Sequence, residues 1–462
     1  MTTEHRFPRY SVAELFSGCG GFSHGFARTG LFNVLLGVDI KPFALETFRA
    51  NHQAYGQSPR TFCEDVRTLP IDAISAALAA QGVRGPGALD CLIGGPPCQG
   101  FSQLRRGERR EQGRIIKFTG YNRYLEDPRN ALVLRFLEIA AELRPKFIVI
   151  ENVPQMLRHS HQGQEGHLSD SIIATLRGLE YDVAVGTLNA ADYGVPQLRE
   201  RAIIIASSVS ESQLPLATHG AMTGVSATKA LTPWVAVKDA ISDLPAPPHG
   251  RSDSLGGGGL DHYLHSDGHF VSLMQSRSSF PFNHVTRKYN DRILAIIREM
   301  SPGETWDHAS NRMQRKYRRI VARERYDGES ESEARDRLIG DGRINATFYK
   351  RYYWSAYTRL DWARPALTIT ANANFLGSGR FTHPQSDRGI TIREAARLQS
   401  FDDDFRFITD TKGGTTQIGV GLDMIGEAVP PLLGRAIAAD IARTLSGLRI
   451  VDESPFPLAA SR

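Results

Sequence analysis

Short apolar runs alternate with stretches of helical periodicity over roughly the first two hundred residues. Val12 to Phe16, Val34 to Asp39, Leu89 to Ile93, Phe147 to Ile150 and Ala202 to Ala206 are strand-length and almost continuously apolar. Runs of that kind belong to strands covered on both faces. Between them Leu132, Val133, Phe136, Leu137 and Ala140 make one apolar stripe. The spacing predicts a helix capped by Asp127, with Pro128 in its first turn and an end before Arg144-Pro145. The alternation predicts an α/β fold, a parallel sheet flanked by helices. After about residue 207 it breaks down: Pro and Gly accumulate, as in Leu244-Pro245-Ala246-Pro247-Pro248 and Gly256 to Gly259, which predicts a linker or exposed loop. Pattern returns at Thr391 to Gln399, and a last helix is expected from about Pro431 to Leu445. No internal repeat of solenoid period is present.

The 462 residues have room for two or three domains, or for one large α/β domain with a second inserted in it. Apolar runs are far too short to span a bilayer and Met1 to Tyr10 is polar, so the chain is expected to be cytoplasmic, with no membrane partner. Its four cysteines, at 19, 63, 91 and 98, form no C-x-x-C pair and have no histidines at zinc spacing, so neither a disulfide framework nor a metal site is expected. The net charge of +5 is a weak sign of a nucleic-acid partner, but its distribution says more. Residues 281 to 360 carry 17 Lys or Arg against 11 Asp or Glu, densest from Arg312 to Arg319. Phe348, Tyr349, Tyr352, Tyr353, Trp354 and Tyr357 follow, and basic residues interleaved with aromatics suit phosphates and bases. Residues 320 to 340 alone suit a solvated helix face laced with salt bridges instead.

The most informative segment is Gly94-Gly95-Pro96-Pro97-Cys98-Gln99-Gly100-Phe101-Ser102, placed directly after an apolar strand. Prolines fix the backbone before the sulfur and Gly100 frees it afterwards, an arrangement that presents Cys98 as a nucleophile rather than burying it. Such a turn lies at the carboxyl edge of the sheet, where open α/β folds bind ligands. Phe16-Ser17-Gly18-Cys19-Gly20-Gly21 stands between the first strand and first helix, and lets a ligand approach the backbone and free N–H groups. A nucleotide-binding dehydrogenase could open similarly, but Ser23 stands where the third glycine of G-x-G-x-x-G should be. Asp39 ends the second strand, where an acid can grip ribose hydroxyls, and Asp65 is expected to end a third and accept from an adenine amine. Glu151 and Asn152 end a buried strand, and Gln197-Leu198-Arg199-Glu200-Arg201 precedes another.

In this order, Phe16 to Gly21, Asp39, Asp65, Pro96 to Ser102, Glu151 to Val153, Gln197 to Arg201, Thr391 to Phe401 and Gly426-Glu427-Ala428-Val429-Pro430 resemble the DNA (cytosine-5)-methyltransferases of the compact bacterial or phage restriction-modification type. The resemblance implies a Rossmann-like, S-adenosylmethionine-dependent methyltransferase domain with an inserted, smaller target-recognition domain. It divides the chain into a first catalytic part over 1–207, a recognition domain over 208–412, and a C-terminal part over 413–462 whose last helix returns to the catalytic domain. Phe16 would stack on the adenine, Asp39 hold the ribose and Asp65 read the adenine edge, with Ile40 and Val66 beside them. The backbone from Gly18 through Gly20 and Gly21 would lie against the methionine part, Pro97 would close the far side, and Glu427 would approach the cofactor.

Cys98 would add to carbon 6 of a flipped-out cytosine. Glu151 would meet the ring nitrogen and amine, and Arg199 and Arg201 would supply positive field or hold the base's carbonyl oxygen. Asn152 would support the Cys98 loop. Residues Phe101 to Asp127 would form a mobile loop closing on DNA, with Ser102 and Arg105 near the backbone. Base-reading side chains would lie in the recognition region, which Arg359 to Thr370 closes. The implied partners are double-stranded DNA and a cognate restriction endonuclease in the same host, without stable contact. Glu427 departs from the Asn usual at its position, and Gln417-Ile418-Gly419 makes that last motif look stretched. Two other functions stay open here: methylation of transfer RNA by the same chemistry, and DNA binding without catalysis.

Overall fold

The computed structural model describes residues 9–97, 108–111, 114–117, 130–157, 168–221, 231–248, 268–275, 281–409 and 417–447. They form two compact units: one comprises the chain up to Val195, Arg199–Pro233 and the segment from Ala428 onward, the other Pro196–Leu198 and Trp234–Glu427. Cys98, Ser102, Arg105, Asp127, Pro128 and Gly256 to Gly259 lie outside the described residues.

The first unit is built on a seven-stranded sheet. Its strands are β1 (Tyr10–Leu15), β2 (Phe32–Asp39), β3 (Arg60–Cys63), β4 (Cys91–Gly94), β7 (Phe147–Asn152), β8 (Asp182–Asn189) and β10 (Glu200–Ser207), in the order β3-β2-β1-β4-β7-β10-β8. Between β4 and β7 the hairpin strands β5 (Glu108–Glu111) and β6 (Arg114–Lys117) pair antiparallel within the segment expected to be a loop. The helices of this unit are α1 (Gly21–Ala27), α2 (Pro42–Ala54), α3 (Ile71–Ala79), α4 (Asn130–Leu143), α5 (Leu168–Gly178) and α13 (Pro431–Leu445).

All five expected strands are present, but the sheet is mixed. β10 runs antiparallel to both β7 and β8. The link from Asn189 to Glu200 holds no crossover helix, so the chain must turn back on itself, whereas helical crossovers keep β1, β2, β3, β4 and β7 parallel.

Alternate residues of each strand feed two cores. Leu15, Leu36, Leu92, Ile148, Ile150 and Ile204 pack with α3, α4 and α5. Val12, Val34, Ile93, Phe147, Val149 and Ile203 pack with α1 and α13. The buried run Phe147-Ile148-Val149-Ile150 is apolar at every position because both faces are covered. The strand order reverses between β1 and β4, so their carboxyl ends open a crevice at the switch point.

The segment from Ser208 stays with the first unit longer than expected. Tyr193 donates to the Pro215 carbonyl at 2.8 Å and Leu214 packs on the core. The short strands β11 (His219–Gly220) and β12 (Thr232–Pro233) then pair before the crossing at 233.

The second unit starts from β9 (Gln197–Leu198), paired parallel with β13 (Ala366–Leu367). Its helices are α6 (Val237–Ile241), α7 (His269–Met274), α8 (Asp291–Ile297), α9 (Trp306–Glu324), α10 (Glu331–Gly340), α11 (Ile392–Leu398) and α12 (Ile418–Glu427). α12 packs on α11, where a side chain at Gly421 would strike Ile392, so this unit runs to Glu427 rather than ending at 412. Three arginines organise its interior. Arg393 donates to the carbonyls of Phe282, Asp402 and Phe405, and Arg397 binds Asp243 and Asp403. Arg359 holds the carbonyls of Ile297, Met300, His383 and Ser386. Among the described residues no helix is long and apolar enough to cross a membrane.

Candidate active site at the carboxyl edge of the sheet

The strand β4 ends in Gly94-Gly95 for a steric reason. A Cβ on Gly94 would stand 2.5 Å from the Leu15 carbonyl oxygen, and one on Gly95 would stand 3.1 Å from Glu151 Oε2. Side chains here would collide with the neighbouring strand and crowd the carboxylate, so glycine is what brings Pro96 and Glu151 together. At the end of β7, Asn152 Nδ2 donates to the Pro96 carbonyl at 3.0 Å, and its Oδ1 accepts from Val153 N–H at 2.8 Å. Asn152 thus clamps the backbone two residues before Cys98.

Glu151 lies beside it with its carboxylate at the surface of the crevice, paired to Arg201 Nε at 2.8 Å. Arg201 comes from β10, and its neighbour one pleat along, Arg199, is buried. Burial, then the charge of Arg201, pushes the Arg199 guanidinium well below its usual range, with Glu151 pulling the other way. An arginine keeps its proton even so. Arg199 donates to the Ala428 carbonyl at 3.0 Å, tying down the point where the chain re-enters this unit. Arg199 thus meets backbone, whereas Arg201 touches the Glu151 carboxylate. Gln197 belongs to the second unit, where Ile369 N–H donates to its Oε1 and its amide donates to Gln399 at 2.6 Å.

The β1–α1 turn forms the other wall. Phe16 sits at φ 56°, a strained left-handed conformation for a bulky residue, and Gly18 and Gly20 follow at positive φ. Asp39 accepts from Gly18 N–H at 2.8 Å and from Lys41 N–H at 2.9 Å, so the acid at the end of β2 shapes the turn. Nothing lies within 4 Å of the place a Gly18 Cβ would occupy, while at Gly20 it would strike Phe48. Ile40, directly after Asp39, is 62 % exposed. An open backbone turn, a strand-end carboxylate and a bare apolar side chain fit a nucleoside-bearing ligand such as S-adenosylmethionine. Val66 is buried in the core and supports the site from below.

Asp65 carries a partner of its own. It follows β3, and Arg67 engages both of its oxygens, from the side chain and from the backbone N–H. Those contacts, the side-chain ones foremost, hold its pKa low, and its partly exposed carboxylate keeps lone pairs for a further donor. Pro97 is half-buried at the last described position before Cys98. Glu427 is exposed at the end of α12, the last residue of the second unit. Gly426 before it lets α12 approach the Thr370 backbone, where a Cβ would meet the carbonyl carbon at 2.2 Å.

Sequence reasoning missed Glu14. It is buried under the glycine turn, accepting from Ser23 N–H at 3.3 Å, while Ser23 Oγ lies 2.9 Å from His52 Nε2. Burial pushes Glu14 up to about 8, against its Ser23 hydrogen bonds, and pushes His52 down to about 3. An acid in an apolar strand, two residues before Phe16 at the start of the glycine-rich turn, was the available signal. Among the described residues no three His, Cys, Asp or Glu side chains gather as metal ligands.

The aromatic group expected to meet bases divides in the second unit. Phe348 stacks on Trp306 with ring centroids 5.2 Å apart and Tyr357 is buried beside them, because the α9 helix needs a core to pack on. Tyr353 and Trp354 remain exposed. Arg359, at the start of the stretch expected to close the recognition region, is buried with its donors committed to backbone carbonyls and to Asp387, so it is not a base reader.

A model of the C-5 cytosine-specific DNA methylases matches residues 10–443. The type II methyltransferase M.DdeI of Desulfomicrobium norvegicum is 28 % identical over 96 % of this chain and 91 % of its own length. The type II methyltransferase M.AgeI of Thalassovita gelatinovora is 30 % identical over 94 % of this chain and 99 % of its own. A crystal structure of a DNA modification methyltransferase encoded within an Escherichia coli prophage has the same fold, with a TM-score of 0.62 at 24 % identity, covering 95 % of this chain and 99 % of that one. From the clamp of Asn152 on the Pro96 turn to the match over nearly its whole length, this chain belongs to the C-5 cytosine-specific DNA methylase family.

Proposed function

We propose that this protein methylates carbon 5 of one cytosine within a short recurring motif of duplex DNA, as the modification half of a type II restriction-modification pair. The family membership and the names of its relatives support the substrate and the setting. The observation that carries the residue assignments is the end of β7, where Asn152 clamps the backbone before Cys98 and the residue before it, Glu151, offers a carboxylate held by Arg201.

Cys98 is the nucleophile. Its thiolate adds to carbon 6 of the extruded base, and the displaced electron pair makes carbon 5 nucleophilic. Glu151 binds the ring nitrogen and the exocyclic amine, stabilising the charge that builds as sulfur adds, and Arg201 fixes that carboxylate. S-adenosylmethionine, held by the Phe16–Gly21 turn, Asp39 and Ile40, supplies the electrophilic methyl group. Loss of the proton from carbon 5 returns the electron pair, breaks the carbon–sulfur bond and frees Cys98. Extrusion costs about a few kcal/mol of pairing and stacking, repaid by contacts in the crevice.

Bisulfite sequencing of a plasmid carried with this gene, beside Cys98→Ala, tests the reading. Methylcytosine at one recurring motif, lost in the variant, is expected. Unmethylated DNA in both would overturn it and direct the search to transfer RNA.

A further inference from the structure

The α9 helix carries a feature that neither its packing nor the catalytic site uses. Arg312, Arg315, Lys316, Arg319 and Arg323 recur along it at helical spacing and line a shallow groove of about 480 Å³. They occupy an arc of about 100° turned away from the buried residues Trp306, Met313, Tyr317 and Val321. Arg312 is fixed by Glu304 at 2.8 Å, and Lys316 reaches Glu299 only at 3.4 Å. Arg323 pairs with the adjacent Glu324. Arg315 and Arg319 are exposed, and among the described residues neither forms an ion pair. Like charges four residues apart repel on a helix, so this stripe works against α9 unless an anion faces it.

We propose that the outer face of α9 binds the phosphate backbone of duplex DNA, independently of sequence. The inference rests on the DNA-methylating reading above and adds a second contact surface to it. From Arg312 to Arg323 the stripe is about 17 Å long at ~1.5 Å per residue, and one DNA strand presents a phosphate every ~3.4 Å of axis. Among its lining side chains the groove carries five cations and no carboxylate, which suits a run of phosphates. Phosphate contacts of this kind set affinity and salt dependence, while the motif is chosen elsewhere.

The test uses the full-length enzyme and a short duplex lacking the methylated motif, with binding followed by fluorescence anisotropy across a salt series. Arg315→Ala with Arg319→Ala should lower the slope of log affinity against log salt by about 2, so the variant loses roughly tenfold less affinity than wild type between ~50 and ~200 mM salt. KM for motif-bearing DNA should rise, with kcat and the methylated motif unchanged. Arg315→Lys with Arg319→Lys should restore the slope. Arg335→Ala with Arg343→Ala, which removes equal charge from cations already paired to Asp336 and Glu324, should leave it near wild type. Equal slopes in the two alanine variants would overturn the proposal, as would an altered motif at unchanged slope. A wild type that binds duplex through Arg315 and Arg319 but never methylates it would instead sink the enzymatic reading.

Discussion

Asn152 shows how much one buried side chain decides at this site. Its amide is the link between the end of β7 and the Pro96 carbonyl, and hence between Glu151 and the segment carrying Cys98. Asn152→Ala leaves that carbonyl unsatisfied and lets the turn shift. The expected result is a kcat lowered about 10- to 100-fold, the scale of a 1 Å misplacement, with KM for DNA nearly unchanged. Steady-state methylation kinetics would check it, and a kcat equal to wild type would remove Asn152 from the positioning role. Cys98, Glu151 and Asn152 stand out in the sequence as candidates because each closes an apolar strand or comes shortly after one. Glu14 was not, since nothing in a linear string shows that a turn folds back over an acid and drives it to about 8. Asp65 was legible as a strand-end acid, but its capture by Arg67 two residues on depended on side-chain geometry.

At the scale of elements, one close joint is that between α1 and α13, which are some four hundred residues apart in sequence. Gly25 lets them touch: a Cβ there would lie 2.4 Å from the Pro431 carbonyl oxygen and 2.6 Å from Arg435 N. In an exposed helix Gly→Ala stabilises by ~1 kcal/mol, but here the sign should reverse. Gly25→Ala is expected to destabilise by about 1–3 kcal/mol, because the obstacle is backbone and cannot rotate away. A raised thermal midpoint would contradict the packing described. The final helix itself was readable to the residue from its apolar spacing after Pro430-Pro431, yet its partner was not. The mixed sheet escaped for a similar reason: β10 has the composition of any buried strand, and only the absence of a crossover helix after β8 reverses it.

Across the whole molecule, the two units should answer pH in opposite directions. In the first, Glu14 is neutral when folded: the unfolded chain loses that proton near 4.5, the folded one near 8. The stability this contributes is complete below about 4.5 and is lost as pH rises to about 8, an effect on the order of a few kcal/mol. In the second, burial would raise Glu394, but Arg388, bound to both of its oxygens at 2.7 Å, outweighs burial and holds it below the usual carboxylate range. That contribution is present above the ordinary Glu range and lost as pH falls. All four tryptophans, at 234, 306, 354 and 362, lie in the second unit. Denaturant titrations should therefore show the acid loss in tryptophan fluorescence and the alkaline loss in circular dichroism. Glu14→Gln should flatten the alkaline limb, and an unaltered limb would rule out Glu14 as its source.

Taken alone, the amino-acid sequence determined the α/β class, the principal strands, the last helix and the candidate groups for the chemistry. Those properties are local: burial on both faces makes a strand apolar throughout, and presenting a nucleophile or a cofactor turn demands Pro and Gly beside it. The tertiary structure alone decided which charges are spent inside the protein and which remain for a ligand. Arg359, Arg393 and Arg397 sit in the same basic chain as Arg315 and Arg319, but the first three are consumed by buried carbonyls and carboxylates. A guanidinium's function depends on what lies within about 3 Å of it, and that distance is set by packing between segments far apart in the chain.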